Sequence, residues 1–286
     1  MKRRKQRAKK VILSSIVIIA LCCVSMISSS QFVHASTYSN IGNNTQYVDS
    51  PASIYDIYGY WNTYNILNNN RKKYKIPHIW RIKGATYIDE ENNVIIANPN
   101  DILVLVNKER NLPADYEPED LVIPDVPFPF EGDKPKKYMR QEAAKALEQL
   151  FVDAQHAGVE LYALSGYRSY KTQEANFNRE ARLKGESLAN KTVAYPGQSE
   201  HQTGLAMDIT RKSAPYLLDC EFGQTPEGIW LYQNCHRYGF IIRYPEDKEY
   251  ITGYSYEPWH IRYVGREVAQ YLYDNNLTLE EFFLDY

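Results

Sequence analysis

The sequence predicts an α+β protein in which a mostly antiparallel sheet is flanked by helices. Segments with helical periodicity and segments with strand alternation both occur, but they do not alternate regularly along the chain, as the units of a parallel sheet would require. Two segments, "LAMDIT" at 205–210 and "WHIRY" at 259–263, have the period of two that is typical of a strand. The chain shows no internal repeat. We therefore predict one folded domain, at residues 101–286.

The first 35 residues have the features of a secretory signal peptide. Residues 1–10 contain seven Lys or Arg and no acid, residues 11–27 are almost wholly apolar, and Val33-His34-Ala35 forms a small-x-small cleavage pattern before Ser36. An uncleaved anchor is the alternative, because the apolar run is near the lower length limit for spanning a bilayer. We expect a secreted or otherwise extracytoplasmic protein, which contacts the membrane only if the segment stays uncleaved.

The net charge of the mature chain limits which classes of partner it can bind, and its cysteines allow one disulfide. Cleavage after Ala35 removes seven of the 33 basic residues and no acids, which leaves 26 basic against 35 acidic residues and a net charge near −9. That sign argues against a nucleic-acid partner. Cys220 and Cys235 remain. Outside the cell a disulfide can join them, and two free, buried cysteines are the alternative.

The residues between the signal peptide and the folded domain, 36–100, are predicted to form a spacer or N-terminal extension. Residues 36–74 are rich in Asn, Tyr and Ser and lack a clear period. Further on, "NVIIAN" at 93–98 and "DILVLVN" at 101–107 predict short strands. Residues 112–135 then contain six prolines, which predict an extended connector along the surface.

The first predicted helix lies in "YMRQEAAKALEQLFVDAQHAG", at 138–158. Its apolar residues recur at helical spacing, and Gly158 follows as a stop signal. The spaced positions are Ala143, Leu147, Leu150, Phe151 and Ala154.

A strand and a second helix are predicted next. "VELYALSGYRS", at 159–169, indicates a strand that enters a tight glycine turn. A helix from about Tyr170 to Lys184 follows, with Ser169 as its N-cap and Gly185 just beyond its end.

The C-terminal part continues with the same kinds of signal. Thr225-Pro226 opens a helix that Gly239 closes, and "FIIRY" at 240–244 predicts a strand. Thr278 and Glu281 have the spacing of a capping box, which predicts a helix start near the C-terminus.

The alternation in the two strand-like segments divides their residues between two faces. The residues that share a face are Leu205, Met207 and Ile209 in the first segment, and Trp259, Ile261 and Tyr263 in the second. Asp208 lies opposite the first set, away from the core, and His260 and Arg262 lie opposite the second. If the two strands share a sheet, Asp208 and His260 can converge on one ion, with His201 on the loop before the first strand.

Three nitrogen and oxygen ligands with one open position for water are typical of a catalytic zinc site. The spacing H-x6-D is weak evidence by itself, however, and the HExxH signature does not occur. A single histidine in a strand is more often a hydrogen-bonded structural residue than a ligand. On the residues alone, both interpretations stay open.

Three stretches resemble the signature blocks of the VanY-type D-alanyl-D-alanine carboxypeptidases. They are "SGYRSYKTQ" at 165–173, "PGQSEHQTGLAMDI" at 196–209 and "TGYSYEPWHIRYVG" at 252–265. They stand in the family's order, and the resemblance covers roughly residues 104–268. This zinc peptidase group also includes lysostaphin and sonic hedgehog. The resemblance implies a zinc site on the sheet face, with one zinc per chain bound by His201, Asp208 and His260.

The resemblance also implies catalytic residues. Glu257 is the expected general base and acid, because a carboxylate beside the attacking water can take its proton and return it to the leaving amine. Arg168 is expected near the scissile carbonyl, where a fixed cation stabilises the developing oxyanion. For Glu257 the alternative is an exposed acid that caps a turn. For Arg168 the alternative is a surface ion pair.

Four further residues are candidates for substrate binding. A carboxypeptidase must hold a terminal carboxylate, and Gln173 and Ser199 offer neutral donors within the matched blocks. They can equally be ordinary helix-surface and loop-capping residues. Tyr167 and Trp259 are candidates for the pocket wall, although aromatic residues beside strands more often belong to the core.

The favoured function is a zinc carboxypeptidase that removes the last D-alanine from a peptidoglycan stem peptide outside the cell. The VanY-like blocks favour D-Ala-D-Ala ends as substrate. The alternatives are an L,D-carboxypeptidase acting on trimmed tetrapeptides, an endopeptidase that cuts cross-bridges, and a zinc-containing binding module without activity.

Overall fold

The computed structural model describes residues 86–284, all within one compact unit, Gly59–Tyr286. The predicted signal peptide and the spacer at 36–74 lie outside the described residues. Of the predicted extension, residues 86–100 are described. They contain a short hairpin of strands β1, Thr86–Ile88, and β2, Val94–Ile96, and its buried Ile96 packs into the main core.

The central sheet has four strands, and every neighbouring pair is antiparallel, as predicted. A two-stranded ribbon precedes it in the chain, made of β3, Leu121–Val122, and β4, Met139–Arg140. The strands of the central sheet are β5, Leu161–Ser165; β6, Ala206–Arg211; β7, Phe240–Tyr244; and β8, Glu257–Tyr263. Their order is β5-β6-β8-β7, so β6 and β8 are the central neighbours.

Seven helices are present within residues 86–284. They are α1, Gln141–His156; α2, Tyr170–Lys184; α3, Glu186–Ala189; α4, Pro226–Asn234; α5, Glu249–Thr252; α6, Arg266–Asn275; and α7, Leu279–Leu284. Short 3-10 turns also occur, and the one at Glu200–Thr203 leads into β6.

Local sequence signals account for the helix ends. Along α1, all five apolar positions predicted to share a face are buried. The hydroxyl of Ser169 caps α2 by accepting from the amide of Thr172, and Gly185 follows α2 with φ of 82°. At the start of α7, the amide of Thr278 donates to Glu281 and the amide of Glu281 donates to Thr278. These three predictions are confirmed.

The helix predicted between Thr225-Pro226 and Gly239 is shorter than expected. The helix α4 opens at Thr225-Pro226 as predicted, and Thr225 is its N-cap, but the α-helix ends at Asn234, and a 3-10 turn, Cys235–Tyr238, continues to Gly239. Such a turn tightens the end of a helix and provides partners for its last carbonyls. Cys235 in this turn is buried, Cys220 is exposed, and both are free cysteines, so the structure contains no disulfide between them.

The prediction of a strand in "DILVLVN" is wrong. This segment is irregular, and its apolar residues from Leu103 to Val106 are buried because they pack into two different clusters. Val104 and Val106 enter the main core, whereas Leu103 and Leu105 pack with the C-terminal helices. The carbonyls of Ile102 and Val104 accept hydrogen bonds from Arg262 instead of from a neighbouring strand.

The two clusters lie on different sides of the sheet. The main core joins α1 to the predicted apolar face of β6 and β8, including Met207 and Ile261. The second cluster joins Ile241 of β7 to α6 and α7. Strand β6 is buried from Ala206 to Thr210 and is not half-buried, as its alternation alone would suggest. Within residues 86–284, no helix has the length and apolarity needed to cross a membrane.

Candidate active site

The predicted metal ligands meet on the face of the central sheet opposite the main core. Asp208 of β6 and His260 of β8 are direct cross-strand partners. His201 lies in the 3-10 turn before β6, and Gly204, with φ of 66°, turns the chain from this turn into the strand. One ligand atom from each of the three residues lies within 4.8 Å of the others, and all three residues are buried.

The two imidazoles are oriented toward the Asp208 carboxylate. His201 places Nε2 3.5 Å from Oδ2 of Asp208, and His260 places Nδ1 3.1 Å from Oδ1. The other nitrogen of His201, Nδ1, lies 2.8 Å from the carbonyl of Gly166. Donation from Nδ1 to this carbonyl leaves the lone pair of Nε2 available to a metal.

The electrostatics of the site favour a bound cation. Burial lowers the pKa of His201 to about 3, so its imidazole is neutral, as a metal ligand must be. Burial also opposes the charged form of His260, but the hydrogen bonds to Asp208 and Glu200 outweigh it and raise the pKa of His260 to about 9. The carboxylates therefore create a negative potential, and a His-Asp-His donor set fits zinc.

Glu257 begins β8, where it pairs with Tyr244. Burial raises the pKa of its carboxyl to about 7. His260 and Arg168 oppose this shift and Asp208 adds to it. A carboxyl whose pKa lies near neutrality can both accept and donate a proton, which suits the role predicted for Glu257.

Arg168 is held from three directions beside these residues. Its guanidinium donates to Oε1 of Gln173 at 2.9 Å and to the hydroxyl of Ser165 at 3.1 Å, and its backbone amide donates to the carbonyl of His201 at 3.1 Å. Burial lowers the pKa of the Arg168 guanidinium, while the negative charges of Asp208 and Glu257 counteract this. The structure thus places a fixed cation near the three proposed metal ligands, His201, Asp208 and His260, which are called the metal cluster below.

The predicted substrate-binding residues are less exposed than expected. Gln173 is 1% exposed, and both halves of its amide have protein partners, because Oε1 accepts from Arg168 and Nε2 donates to the carbonyl of Ala194 at 2.7 Å. In this structure Gln173 is therefore not a helix-surface residue, and it holds Arg168 in place. Ser199 is also buried, and it makes no side-chain capping bond to the turn that it precedes. Contact of either residue with substrate stays a prediction.

The two aromatic candidates lie beside the site and inside the fold. Tyr167 is buried and its amide donates to the carbonyl of Tyr138 at 2.7 Å. Trp259 is half-buried and packs against the main core. Both placements agree with a core role, so a role in the pocket wall stays a prediction.

A buried charge network behind the metal cluster was not predicted from the sequence. It consists of Glu200, Arg243, Arg262 and Glu280. Oε1 of Glu200 accepts from Nε of Arg243 at 2.8 Å and from a terminal nitrogen of Arg262 at 2.5 Å. Arg243 also donates to both carboxylate oxygens of Glu280 in α7. Burial alone would raise the pKa of Glu200, but Arg243 and Arg262 hold it well below its usual range. The available signal was an arginine inside each of the apolar strands "FIIRY" and "HIRY", because a buried charge requires a partner.

Hydrolysis assisted by a metal requires several donors to one ion and a group that transfers protons nearby. Residues 86–284 bring a His-Asp-His cluster, a carboxyl of near-neutral pKa and a partly buried arginine together beside an antiparallel sheet. This fold and site define the class of zinc-dependent hydrolases.

Comparison with known proteins identifies the family within that class. Residues 136–266 match the family described as VanY, D-alanyl-D-alanine carboxypeptidase. The chain is 57% identical over 188 residues to YodJ of Bacillus subtilis (strain 168), provisionally named a carboxypeptidase, and the match covers 66% of this chain and 69% of YodJ. It is 38% identical over 182 residues to the bifunctional D-Ala-D-Ala dipeptidase and carboxypeptidase VanXYC of Enterococcus gallinarum, covering 63% and 92% of the two chains. The chain belongs to the VanY family of zinc carboxypeptidases.

Solved structures of related enzymes share the fold. The LD-carboxypeptidase LdcB superposes with a TM-score of 0.67 at 54% identity, covering 69% of this chain and 93% of LdcB. A variant of the vancomycin-resistance D,D-pentapeptidase VanY, solved in complex with Zn(II), superposes with a TM-score of 0.52 at 37% identity, covering 63% and 97%. Both the fold and the use of zinc therefore agree with the predictions from the sequence.

Proposed function

We propose that this protein removes the terminal D-alanine from peptidoglycan stem peptides, with the L,D bond of a trimmed tetrapeptide as its preferred target. The observation that carries the proposal is the convergence of the buried metal cluster with the partly buried Glu257 and Arg168 in one site. The L,D preference is supported by the greater similarity to the LD-carboxypeptidase LdcB, at 54% identity, than to the D,D-pentapeptidase VanY, at 37%.

Cleavage of D-Ala-D-Ala ends, favoured by the sequence blocks, is the second candidate. The family description and the bifunctional relative VanXYC support it, and a related VanY enzyme has been solved in complex with D-alanine-D-alanine. The two activities differ in the chirality of the residue before the cut, which the shape of the pocket must distinguish.

In the proposed mechanism, His201, Asp208 and His260 hold the metal. When bound, zinc activates a water molecule and polarises the scissile carbonyl. The carbonyl of Gly166 orients His201, and pairing between β6 and β8 places Asp208 against His260. These protein contacts keep the donor atoms together in a preorganised site.

Glu257 takes a proton from the attacking water and returns it to the amine of the departing D-alanine. Its pKa of about 7 suits both steps, because the carboxylate is a stronger base than an exposed one and the acid still forms near neutral pH. Arg168 faces the negative charge that develops on the carbonyl oxygen. Its hydrogen bonds to Gln173 and Ser165 keep it oriented, so little reorganisation is needed in the transition state.

A zinc-containing module without activity would not require a carboxyl of near-neutral pKa beside the cluster, nor an arginine held there by hydrogen bonds. The presence of Glu257 and Arg168 supports an enzyme. We further propose that the protein acts outside the cytoplasm, on the basis of the basic and apolar pattern in residues 1–27.

The proposal is tested by incubating the purified zinc-loaded protein separately with stem tetrapeptide and pentapeptide and measuring the D-alanine released. We expect release from the tetrapeptide at a kcat/KM at least about tenfold above that for the pentapeptide, which corresponds to about 1.4 kcal/mol of discrimination. Preference for the pentapeptide would instead support the D,D candidate. Release from neither peptide would refute the proposed function.

A further inference from the structure

We propose that Glu200 is a positioning residue of the metal site, whose buried carboxylate accepts the Nε2 hydrogen of His260 and so presents Nδ1 of His260 to the metal. This inference rests on the proposed metal site. It assigns a role to a residue that neither contacts the reacting atoms nor binds the metal itself.

The first observation is a pair of facing atoms. Oε2 of Glu200 lies 3.5 Å from Nε2 of His260. Both atoms are buried, and neither has a hydrogen-bond partner at shorter range within the described part of the chain. An unpaired buried donor or acceptor is costly, so each of these atoms is the natural partner of the other.

The second observation is the direction of the opposite ring nitrogen. Nδ1 of His260 lies 3.1 Å from the Asp208 carboxylate, on the side of the ring where the three ligands converge. A neutral imidazole carries one hydrogen, on one of its two nitrogens. A carboxylate at Nε2 retains the hydrogen there and leaves the lone pair of Nδ1 for the metal. His201 has the converse arrangement, because the carbonyl of Gly166 takes Nδ1 and leaves Nε2.

The third observation is how firmly Glu200 is held. Its side chain is fully buried, and its other oxygen, Oε1, accepts from Arg243 and Arg262. Arg262 is itself anchored by donating to the carbonyls of Ile102 and Val104, each at 2.8 Å. These contacts fix the direction in which Oε2 points. A carboxylate that served only to neutralise the two arginines would not need an oxygen directed at the metal ligand.

Glu280 provides a matched control within the same network. It binds Arg243 through both carboxylate oxygens, at 2.6 and 2.8 Å, and it also accepts from Asn107. Within residues 86–284 its carboxylate forms no hydrogen bond or ion pair with His260 or with the other two ligands. Glu200→Gln and Glu280→Gln therefore remove the same charge from the same buried network, but only Glu200→Gln alters the partner of the imidazole.

The experiment compares the zinc dissociation constants of the two variants and the parent chain by competition with a chelator. Loss of an outer-shell partner typically weakens metal binding about 10- to 100-fold, and we expect that loss in Glu200→Gln. We expect a change of less than about threefold in Glu280→Gln, although both variants lose thermal stability. Parent-like affinity in Glu200→Gln, or an equal loss in both variants, would overturn the proposal.

A second measurement does not depend on a substitution and remains decisive if Glu200→Gln fails to fold. Nitrogen-15 NMR of the zinc-loaded parent chain should show hydrogen on Nε2 of His260 and metal on Nδ1. Metal on Nε2 would overturn the inference and leave the proposed carboxypeptidase function standing. A chain that binds no zinc would refute both, whereas zinc binding with the expected tautomer and no release of D-alanine would refute only the proposed function.

Discussion

Asp208 and His260 show what strand alternation reveals about individual residues. The period of two places each of them on the face opposite an apolar set, and this face is the one they occupy. Alternation does not reveal which residue lies across the strand boundary, because register depends on contacts between segments 52 residues apart in the chain. Glu200 was missed for a related reason. It lies in a loop-like stretch, and its partners, Arg243 and Arg262, come from two other strands.

Replacing a predicted ligand tests the metal site at this scale. The parent chain should bind about one zinc, and His260→Ala should reduce this to near zero, because two remaining ligands bind zinc weakly. His236→Ala is the control, since His236 is also buried but stacks on Tyr273 at 3.7 Å between ring centroids. Elemental analysis of untagged protein provides the stoichiometry. Full zinc content in His260→Ala would refute the ligand assignment.

At the scale of helices and strands, capping signals that involve only a few neighbouring residues predicted the helix starts correctly. The cap at Ser169 and the capping box at Thr278 both formed as expected, because a cap needs only a side chain and an amide three residues away. The apolar run in "DILVLVN" predicted a strand that does not form. Its burial arises from packing into two clusters, which a short window cannot distinguish from a strand.

The turn between β5 and α2 should be intolerant of substitution. A Cβ added at Gly166 would lie 2.4 Å from the carbonyl oxygen of Tyr138 and 2.8 Å from Cε of Met207. We expect Gly166→Ala to lower the free energy of unfolding by about 2 kcal/mol, measured by denaturant titration with chelator present. Zinc affinity should also fall, because the carbonyl of Gly166 orients His201.

Gly158→Ala is the control for this turn. Gly158 has φ of 76°, but a Cβ there would meet nothing within 4 Å. We expect a cost of about 1 kcal/mol from backbone strain and no change in zinc affinity. A Gly166→Ala protein with the stability and zinc affinity of the parent would show that the turn can relax without disturbing the site.

For the whole molecule, the fold class and the antiparallel sheet could be predicted, whereas the strand order β5-β6-β8-β7 could not. Strand order depends on which segments pack together after the chain collapses, and no local signal records it. The sequence also did not predict that the C-terminal helices α6 and α7 would pack near the site and stabilise it. They cover Ile241 of β7 through the second cluster, and Glu280 of α7 binds Arg243 in the network behind the metal cluster.

The central claim is that the metal cluster, Glu257 and Arg168 together perform hydrolysis, with Glu257 as the proton carrier. Glu257→Gln keeps the size of the side chain and removes the base, so zinc binding should persist while turnover falls. General acid and base contributions are each about 10²- to 10⁴-fold. Because one residue serves both steps, we expect the loss to reach the upper part of that range.

The most direct test measures kcat for D-alanine release and zinc content in one preparation of Glu257→Gln, beside the parent chain. We predict about one zinc per chain in both proteins and a kcat reduced by about 10³- to 10⁴-fold in the variant. A zinc-replete Glu257→Gln protein that releases D-alanine within about tenfold of the parent rate would contradict the mechanism.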